Sequence, residues 1–357
     1  MKISINSTFS YIKFNLNYGS ALQCFALQQY LKDRGHEPAH LRDYRANPKY
    51  ILERFKNIKY PKLFFKKAKA QIKLQKFIKN NITLSENWYL SDKGLRKRCP
   101  DVACHIVGSD QIWHNANSFR YLTYVPDSKL KLSYAASFGS STIPENMAQT
   151  IQPYLKRFDG ITVREASGVK IIKDMGLEAT HVLDPTLLID LDRYPVKETE
   201  KKNYCFCYFL NLSKIDDVPF KYIKEYSSAN SKKLIITAPL NYPLFLNEDL
   251  RFPEVEEWLG LYKNADCIFT NTYHGLLFCI IFKKQFLFCM QKGNLSRENE
   301  RFNSLFEMLE LTDRIIDETD GHMILKKMEH PIDYDNVYNI IKNKRVITDK
   351  FFETFNI

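Results

Sequence analysis

The stretch Ala265-Asp266-Cys267-Ile268-Phe269-Thr270-Asn271-Thr272-Tyr273-His274-Gly275-Leu276-Leu277-Phe278 decides how this chain is read. Its first five residues have the short apolar run of a buried strand. From Leu276 onward the chain stays apolar, as the opening turns of a buried helix do. His274 and Gly275 therefore fall at a strand-to-helix turn. In an open α/β sheet ligands bind there, at the carboxyl ends of the strands. Histidine titrates near neutrality and serves as acid or base. Gly275 would let a substrate approach the backbone at a helix N-terminus, which attracts anions. The plainer reading of His274 is a helix cap or a packed core side chain.

Working outward, the same alternation recurs. Residues 204–210, 233–237 and 285–289 read as strands. Residues 220–228 and 253–263 read as helices. Toward the N-terminus, strands are predicted over 2–5, 40–44, 102–107, 131–137, 160–163 and 181–183. Helices are predicted over 20–34, 146–157 and 166–175, and the tail 334–355 also looks helical. Alternating strand and helix predicts a parallel sheet with helices on both faces in each half. Residues 191–203 are charged, contain Pro195 and show no apolar period. The domain boundary is set there, giving an N-terminal Rossmann-like domain over 1–195 and a C-terminal one over 196–357.

Composition narrows the function. The chain has 357 residues, 45% of them apolar and 26% charged, enough for two packed cores. No window reaches the roughly 20 apolar residues of a membrane span, and Met1-Lys2-Ile3-Ser4-Ile5-Asn6 turns polar too early for a signal peptide. A cytoplasmic protein is the expectation. The eight cysteines form no CxxC pair, and no HExxH or Walker-type loop is present, so neither a metal nor a cofactor is expected. The net charge of +11 is concentrated between Lys49 and Lys79, where eleven bases face one acid, Glu53. Aromatic residues interleave them. Such a stretch can lie on an anionic membrane at its cytoplasmic face, or be a solvated helix. No nucleic-acid module accompanies it, so no nucleic-acid partner is expected.

Six further segments stand in order with the histidine turn: Asn17-Tyr18-Gly19-Ser20-Ala21-Leu22-Gln23, Gly108-Ser109-Asp110-Gln111-Ile112-Trp113, Ser133-Tyr134-Ala135-Ala136-Ser137-Phe138-Gly139, Val163-Arg164-Glu165-Ala166-Ser167-Gly168, Val182-Leu183-Asp184-Pro185-Thr186 and Arg301-Phe302-Asn303-Ser304-Leu305. Together they resemble the polysaccharide pyruvyl transferases. That resemblance implies two Rossmann-like domains facing across a cleft, the GT-B arrangement. It also implies transfer of pyruvate from phosphoenolpyruvate, as co-substrate, to a glycan or lipid-linked sugar acceptor. The product is a cyclic ketal, and phosphate leaves. A GT-B glycosyltransferase using a nucleotide sugar is the alternative.

The chemistry needs cations and oriented N–H groups for the donor, a proton for its methylene carbon and a base for the attacking hydroxyl. On the family motifs, His274 and Asp110 are the catalytic candidates. Arg164, Ser167, Thr272, Gly275 and Arg301 are assigned to the donor. Asn17, Tyr18, Gly19, Ser109 and Gln111 are assigned to the acceptor. Arg164 has a competing reading as a salt bridge to Glu165 or Asp184, and Asp110 as a helix cap. Asp184-Pro185 reads as a structural turn, and Trp113 as a core residue before a sugar platform. Some family members carry Arg where this chain has Thr272, and a Ser- or Thr-containing form also occurs; Arg297 or Arg301 could replace that cation, or the donor could be held differently.

Overall fold

The computed structural model describes residues 1–7, 16–43, 60–89, 91–199, 202–316 and 321–357. Only residues 60–79 of the basic stretch thus fall among them. The side chain of Arg297 also lies outside the described atoms.

In chain order, β1 (Lys2–Asn6) leads to α1 (Tyr18–Asp33) and β2 (Glu37–Asp43). These are followed by α2 (Pro61–Asn81), β3 (Leu84–Tyr89), α3 (Asp92–Lys97), β4 (Cys104–Val107), β5 (Leu130–Ser133) and α4 (Glu145–Leu155). Then come β6 (Thr162–Val163), α5 (Ala166–Asp174) and β7 (Thr180–His181). Strands β1 to β5 form a parallel sheet in the order β3-β2-β1-β4-β5. Bridges Leu132–Gly160 and Ala136–Val163 hang the β6-β7 pair on its β5 edge.

The second half contains β8 (Tyr204–Tyr208), α6 (Phe220–Ala229), β9 (Lys233–Thr237), β10 (Asp249–Leu250), α7 (Val255–Asn264), β11 (Cys267–Thr270), α8 (Tyr273–Ile281), β12 (Gln285–Cys289), α9 (Glu300–Met308), β13 (Ile315–Ile316), α10 (Gly321–Glu329) and α11 (Tyr334–Thr354). Its parallel sheet runs β10-β9-β8-β11-β12-β13. Strand order reverses beside β1 and beside β8, and loops at such switch points form ligand crevices. The two-residue strands β10 and β13 are too short to leave a periodic signal, and β3 escaped the sequence because half its residues are polar.

Helix α8 lies at the centre of the molecule. All nine of its residues are buried, which explains why its sequence is apolar on every side. Thr272 starts it, its Oγ1 accepting the Gly275 N–H at 2.9 Å. Helix α1 begins with Asn17, whose Oδ1 accepts the Ser20 N–H at 3.1 Å. The next residue, Tyr18, is fully buried in the other half. It stacks on Trp258 with ring centres 5.2 Å apart and donates its hydroxyl to the Pro253 carbonyl at 2.7 Å.

The C-terminal helix α11 is shared. Near its start Tyr334 donates to the Cys279 carbonyl at 3.2 Å, in the second half. Farther along, Thr348 meets the Tyr134 hydroxyl at 3.1 Å and Asp349 accepts from Tyr30 at 2.6 Å, both in the first half. Phe352 stacks on Tyr134 at 5.2 Å. The tail therefore straps the halves together rather than belonging to the C-terminal domain alone.

Candidate active site

The start of α1 and the loops at the carboxyl ends of β4, β6, β8, β11 and β12 converge where the two sheets meet. A cleft of about 780 Å³ opens there, walled by Asn17, Gln71, Asp110, Gln111, Arg120 and Glu298 among others. Beside it lies a chamber of about 90 Å³. Asn17, Asp110 and Gln111 line both. The chamber's other walls include Tyr208, Asn211, Thr272, Tyr273, His274, Gln291 and Arg301.

His274 stands where the two halves touch. A Cβ built on Gly19 would lie 2.3 Å from His274 Cγ and 2.5 Å from its Nδ1. Glycine is required there because the first turn of α1 runs against the imidazole face. The ring's Nε2 is 3.7 Å from Asp184 Oδ2, an ion-pair distance and too long for a hydrogen bond.

Asp184 is the node of the cluster. It is fully buried, and its Oδ1 accepts the Thr186 N–H at 3.0 Å and the Thr186 hydroxyl at 2.8 Å. Its Oδ2 receives Arg164 Nη1 at 3.1 Å and the Ser109 hydroxyl at 3.4 Å. Burial raises its pKa, but His274, Arg164 and the Thr186 N–H outweigh burial and hold the carboxyl well below the usual carboxylate range. Sequence reading took Asp184-Pro185 for a turn. The turn is real, but its aspartate also backs the histidine. The signal was present in the Asp-Pro-Thr order, which caps itself and fixes the carboxylate.

Arg164 makes the salt bridges of the competing reading, while its Nη2 has no hydrogen-bond partner in the protein. Its side chain is wholly buried and reaches Asp184 at 3.1 Å, Glu165 at 3.0 Å and Asp110 at 3.5 Å. Its guanidinium lies 4.1 Å from the Tyr273 ring centre, and it does not line the chamber. Three carboxylates use its charge. Burial raises Asp110 as well, yet Arg164, His274 and Arg301 together leave it below its ordinary value. For Glu165, burial outweighs Arg164 and the carboxyl is pushed up.

Other expected residues move role as well. Tyr18 faces the second core and touches neither cavity. Ser109 is fully buried and hydrogen-bonds the Ala135 carbonyl at 3.1 Å in addition to Asp184. At the N-terminus of α5 the Ala166 N–H donates to Ser304 Oγ at 3.0 Å, and the buried Ser167 hydroxyl has no hydrogen-bond partner in the protein and does not line the chamber. Gly275 spends its N–H on Thr272. A Cβ there would sit 2.3 Å from both Thr270 Oγ1 and Thr272 Oγ1, so this glycine serves close packing rather than substrate approach. Trp113 is buried and stacked on Tyr121 at 5.6 Å. His274, Asp110, Thr272, Arg301, Asn17 and Gln111 do reach the chamber.

Three buried polar atoms with no hydrogen-bond partner in the protein belong to chamber-lining residues, Tyr208 Oη, Gln291 Oε1 and Arg301 Nε, while the unpaired His274 Nε2 faces Asp184. Buried polar groups are ordinarily paired, and leaving one unpaired costs about 1–3 kcal/mol. Their grouping around one small space marks it as a ligand seat. Arg301 is tied by its other arm to Glu298 at 3.1 Å, and burial lowers its pKa against that partner. Tyr208 and Gln291 were missed because they sit in runs that read only as core and loop.

The family description of the polysaccharide pyruvyl transferases matches residues 17–292, and the chain belongs to that family. It is accordingly a transferase, of the class that moves pyruvyl groups to polysaccharide. No curated protein matches the sequence. Among solved structures, UDP-GlcNAc 2-epimerase from Methanocaldococcus jannaschii is 14% identical with TM-score 0.55, the match covering 93% of each chain. The S. aureus MnaA–UDP co-structure is 12% identical with TM-score 0.54, over 95% of this chain and 90% of that one. UDP-GlcNAc 2-epimerase from Neisseria meningitidis bound to UDP-GlcNAc is 10% identical with TM-score 0.51, over 99% and 100%. At these identities the likeness is one of fold. It gives the GT-B arrangement of two parallel α/β domains around a cleft.

Proposed function

We propose that the protein transfers pyruvate from phosphoenolpyruvate to two hydroxyls of a sugar in a cell-surface glycan or its lipid-linked precursor. The three unpaired polar atoms of Tyr208, Gln291 and Arg301 around the 90 Å³ chamber carry this reading. A small anion with a carboxylate and a phosphate would take the Arg301 Nε–H and the Tyr208 hydroxyl as donors. The larger cleft, lined by Asn17, Gln71, Gln111 and Arg120, suits the many hydroxyls of a sugar.

In this scheme His274 gives a proton to the methylene carbon of the donor, and the adjacent carbon becomes electrophilic. One sugar hydroxyl adds there and loses its proton to Asp110, which its lowered pKa keeps ionised, and Asp110 returns that proton to His274 to restore both groups. The second hydroxyl adds as the bond to phosphate breaks, and its proton leaves with the phosphate. Two carbon–oxygen bonds form to the sugar and one breaks to phosphate. Asp184 faces the imidazole Nε2 at 3.7 Å and favours the charged ring. Arg164 keeps Asp184 charged.

Acceptor-dependent release of phosphate from phosphoenolpyruvate tests the reaction. His274→Asn should lower it roughly 100- to 10,000-fold with little change in melting temperature. Retention of a third of the activity would remove His274 from the proton step. A ligand of the folded state raises its melting temperature, so phosphoenolpyruvate should stabilise the wild-type protein. Stabilisation by UDP or a UDP-sugar instead would favour the nucleotide-sugar alternative that the fold also accommodates.

A further inference from the structure

Helix α2 carries two faces with different tasks. Its inner face places Gln71, Leu74, Gln75 and Ile78 in the wall of the 780 Å³ cleft. Its outer face presents Lys62, Phe65, Lys69, Ile72, Lys76 and Lys79 to solvent. These six follow one another at steps of three and four, which on an α-helix confines them to an arc of about 100°. Phe65 is 70% exposed and Ile72 66%. Apolar side chains so open on a helix otherwise anchored by Leu74, Phe77 and Ile78 are not needed for the core. No acidic residue occurs between Pro61 and Asn81. Among the described residues the helix makes one salt bridge, from Lys73 to Glu254 at 3.3 Å, and Lys73 lies off the stripe.

We propose that this stripe docks on a bilayer of anionic lipids, with Phe65 and Ile72 entering the interface and the lysines meeting headgroups. Charge complementarity selects that partner. Lysines alternating with large exposed apolar groups suit a surface that is anionic outside and apolar just beneath. A duplex nucleic acid offers the charge without the apolar layer. No helix among the described residues is long and apolar enough to cross a membrane, so attachment is peripheral. Because the reverse face of the same helix walls the cleft, docking holds the cleft mouth at the membrane surface. The acceptor is then a sugar carried on a membrane lipid. This last step rests on the pyruvyl-transfer reading; the docking itself does not.

The test uses the full-length protein and vesicles of phosphatidylglycerol mixed with phosphatidylcholine, compared with phosphatidylcholine alone. Wild type should co-sediment with the anionic vesicles at low salt and release as salt rises. Each lysine at such a surface is worth roughly fivefold in partitioning, so Lys62→Gln/Lys69→Gln/Lys76→Gln should weaken it about 100-fold. Phe65→Ser/Ile72→Ser should weaken it at every salt concentration while melting like wild type. Both variants should release phosphate normally with a soluble sugar acceptor, which separates failure of docking from failure of the reaction. Vesicle binding that survives both variants, equal binding to neutral vesicles, absence of binding at low salt, or tighter binding to a short DNA duplex would each overturn the proposal.

Discussion

At the scale of single residues the site is organised around a buried carboxylate. Asp184 accepts from Arg164, Ser109 and Thr186 while facing His274. An aspartate so supplied stays ionised in a place where burial alone would neutralise it. A buried charge of this kind is tolerable only while every partner remains, and removal of one typically costs 3–5 kcal/mol. Gly19 makes the neighbouring demand of space. Its Cα lies against the imidazole so closely that any side chain must displace the ring or the helix. Gly19→Ala should therefore lower the turnover number at least about 100-fold, since a misplacement near 1 Å is enough for that. Its far-ultraviolet circular dichroism should stay native. A Gly19→Ala protein with wild-type turnover would show that His274 has no need of its present position.

Among elements, α8 is the one that sets the site. It is a buried apolar helix whose first turn carries Tyr273 and His274, so its start must be fixed to within a residue. Thr272 does this as N-cap, with its Oγ1 also 3.2 Å from Thr270 Oγ1. An arginine at this position could not cap, so the threonine gives helix register where an arginine would give charge. Thr272→Ala should cost about 1 kcal/mol, read as a fall of roughly 2–4 °C in melting temperature. Thr272→Ser should recover most of it. A Thr272→Ala protein that melts like wild type would mean that packing alone fixes the helix start.

For the whole molecule, two buried histidines in the first sheet tie stability to pH. His40, on β2, has Nε2 3.1 Å from the Cys24 carbonyl, and His105, on β4, is 0% exposed. Burial lowers each to about 4, well under the roughly 6.5 of an unfolded chain. Both rings are neutral when folded, so the unfolded chain binds more protons below pH 6.5. Their stabilisation is complete above that value and is lost as pH falls from 6.5 through 4. Each is worth up to about 3 kcal/mol at the lower end. Asp184 and Asp110, lowered by their cations, keep their contribution until the pH drops into the carboxylate range, while Glu165, pushed up by burial, opposes the decline and His181, lowered by burial, adds to it. Urea unfolding at pH 7, 6 and 5 should show the decline, and His105→Asn should make it shallower. A wild-type stability that is level from pH 7 to 5 would contradict the burial of these rings in neutral form.

The sequence by itself determined the family, the alternation that makes two parallel sheets, and the turn that carries His274. Each of these is written in short local patterns: apolar runs of strand or helix length, a glycine beside an ionisable ring, and motifs in fixed order. The tertiary structure decided which polar residues share a space. Arg164 had two readings because a sequence cannot say whether a guanidinium meets a ligand or a carboxylate 20 residues away, and its three acids settled that it is enclosed. Tyr208 and Gln291 could not be placed at the site from their neighbours in the chain, since each arrives there from a different strand end. Tyr18 likewise turned from a cleft residue into a bolt between the halves because Trp258, 240 positions away, lies beneath it. Local chemistry fixes which element a residue joins. Its partners depend on contacts between elements far apart in sequence, and those exist only once the two sheets and the α11 strap have closed on one another.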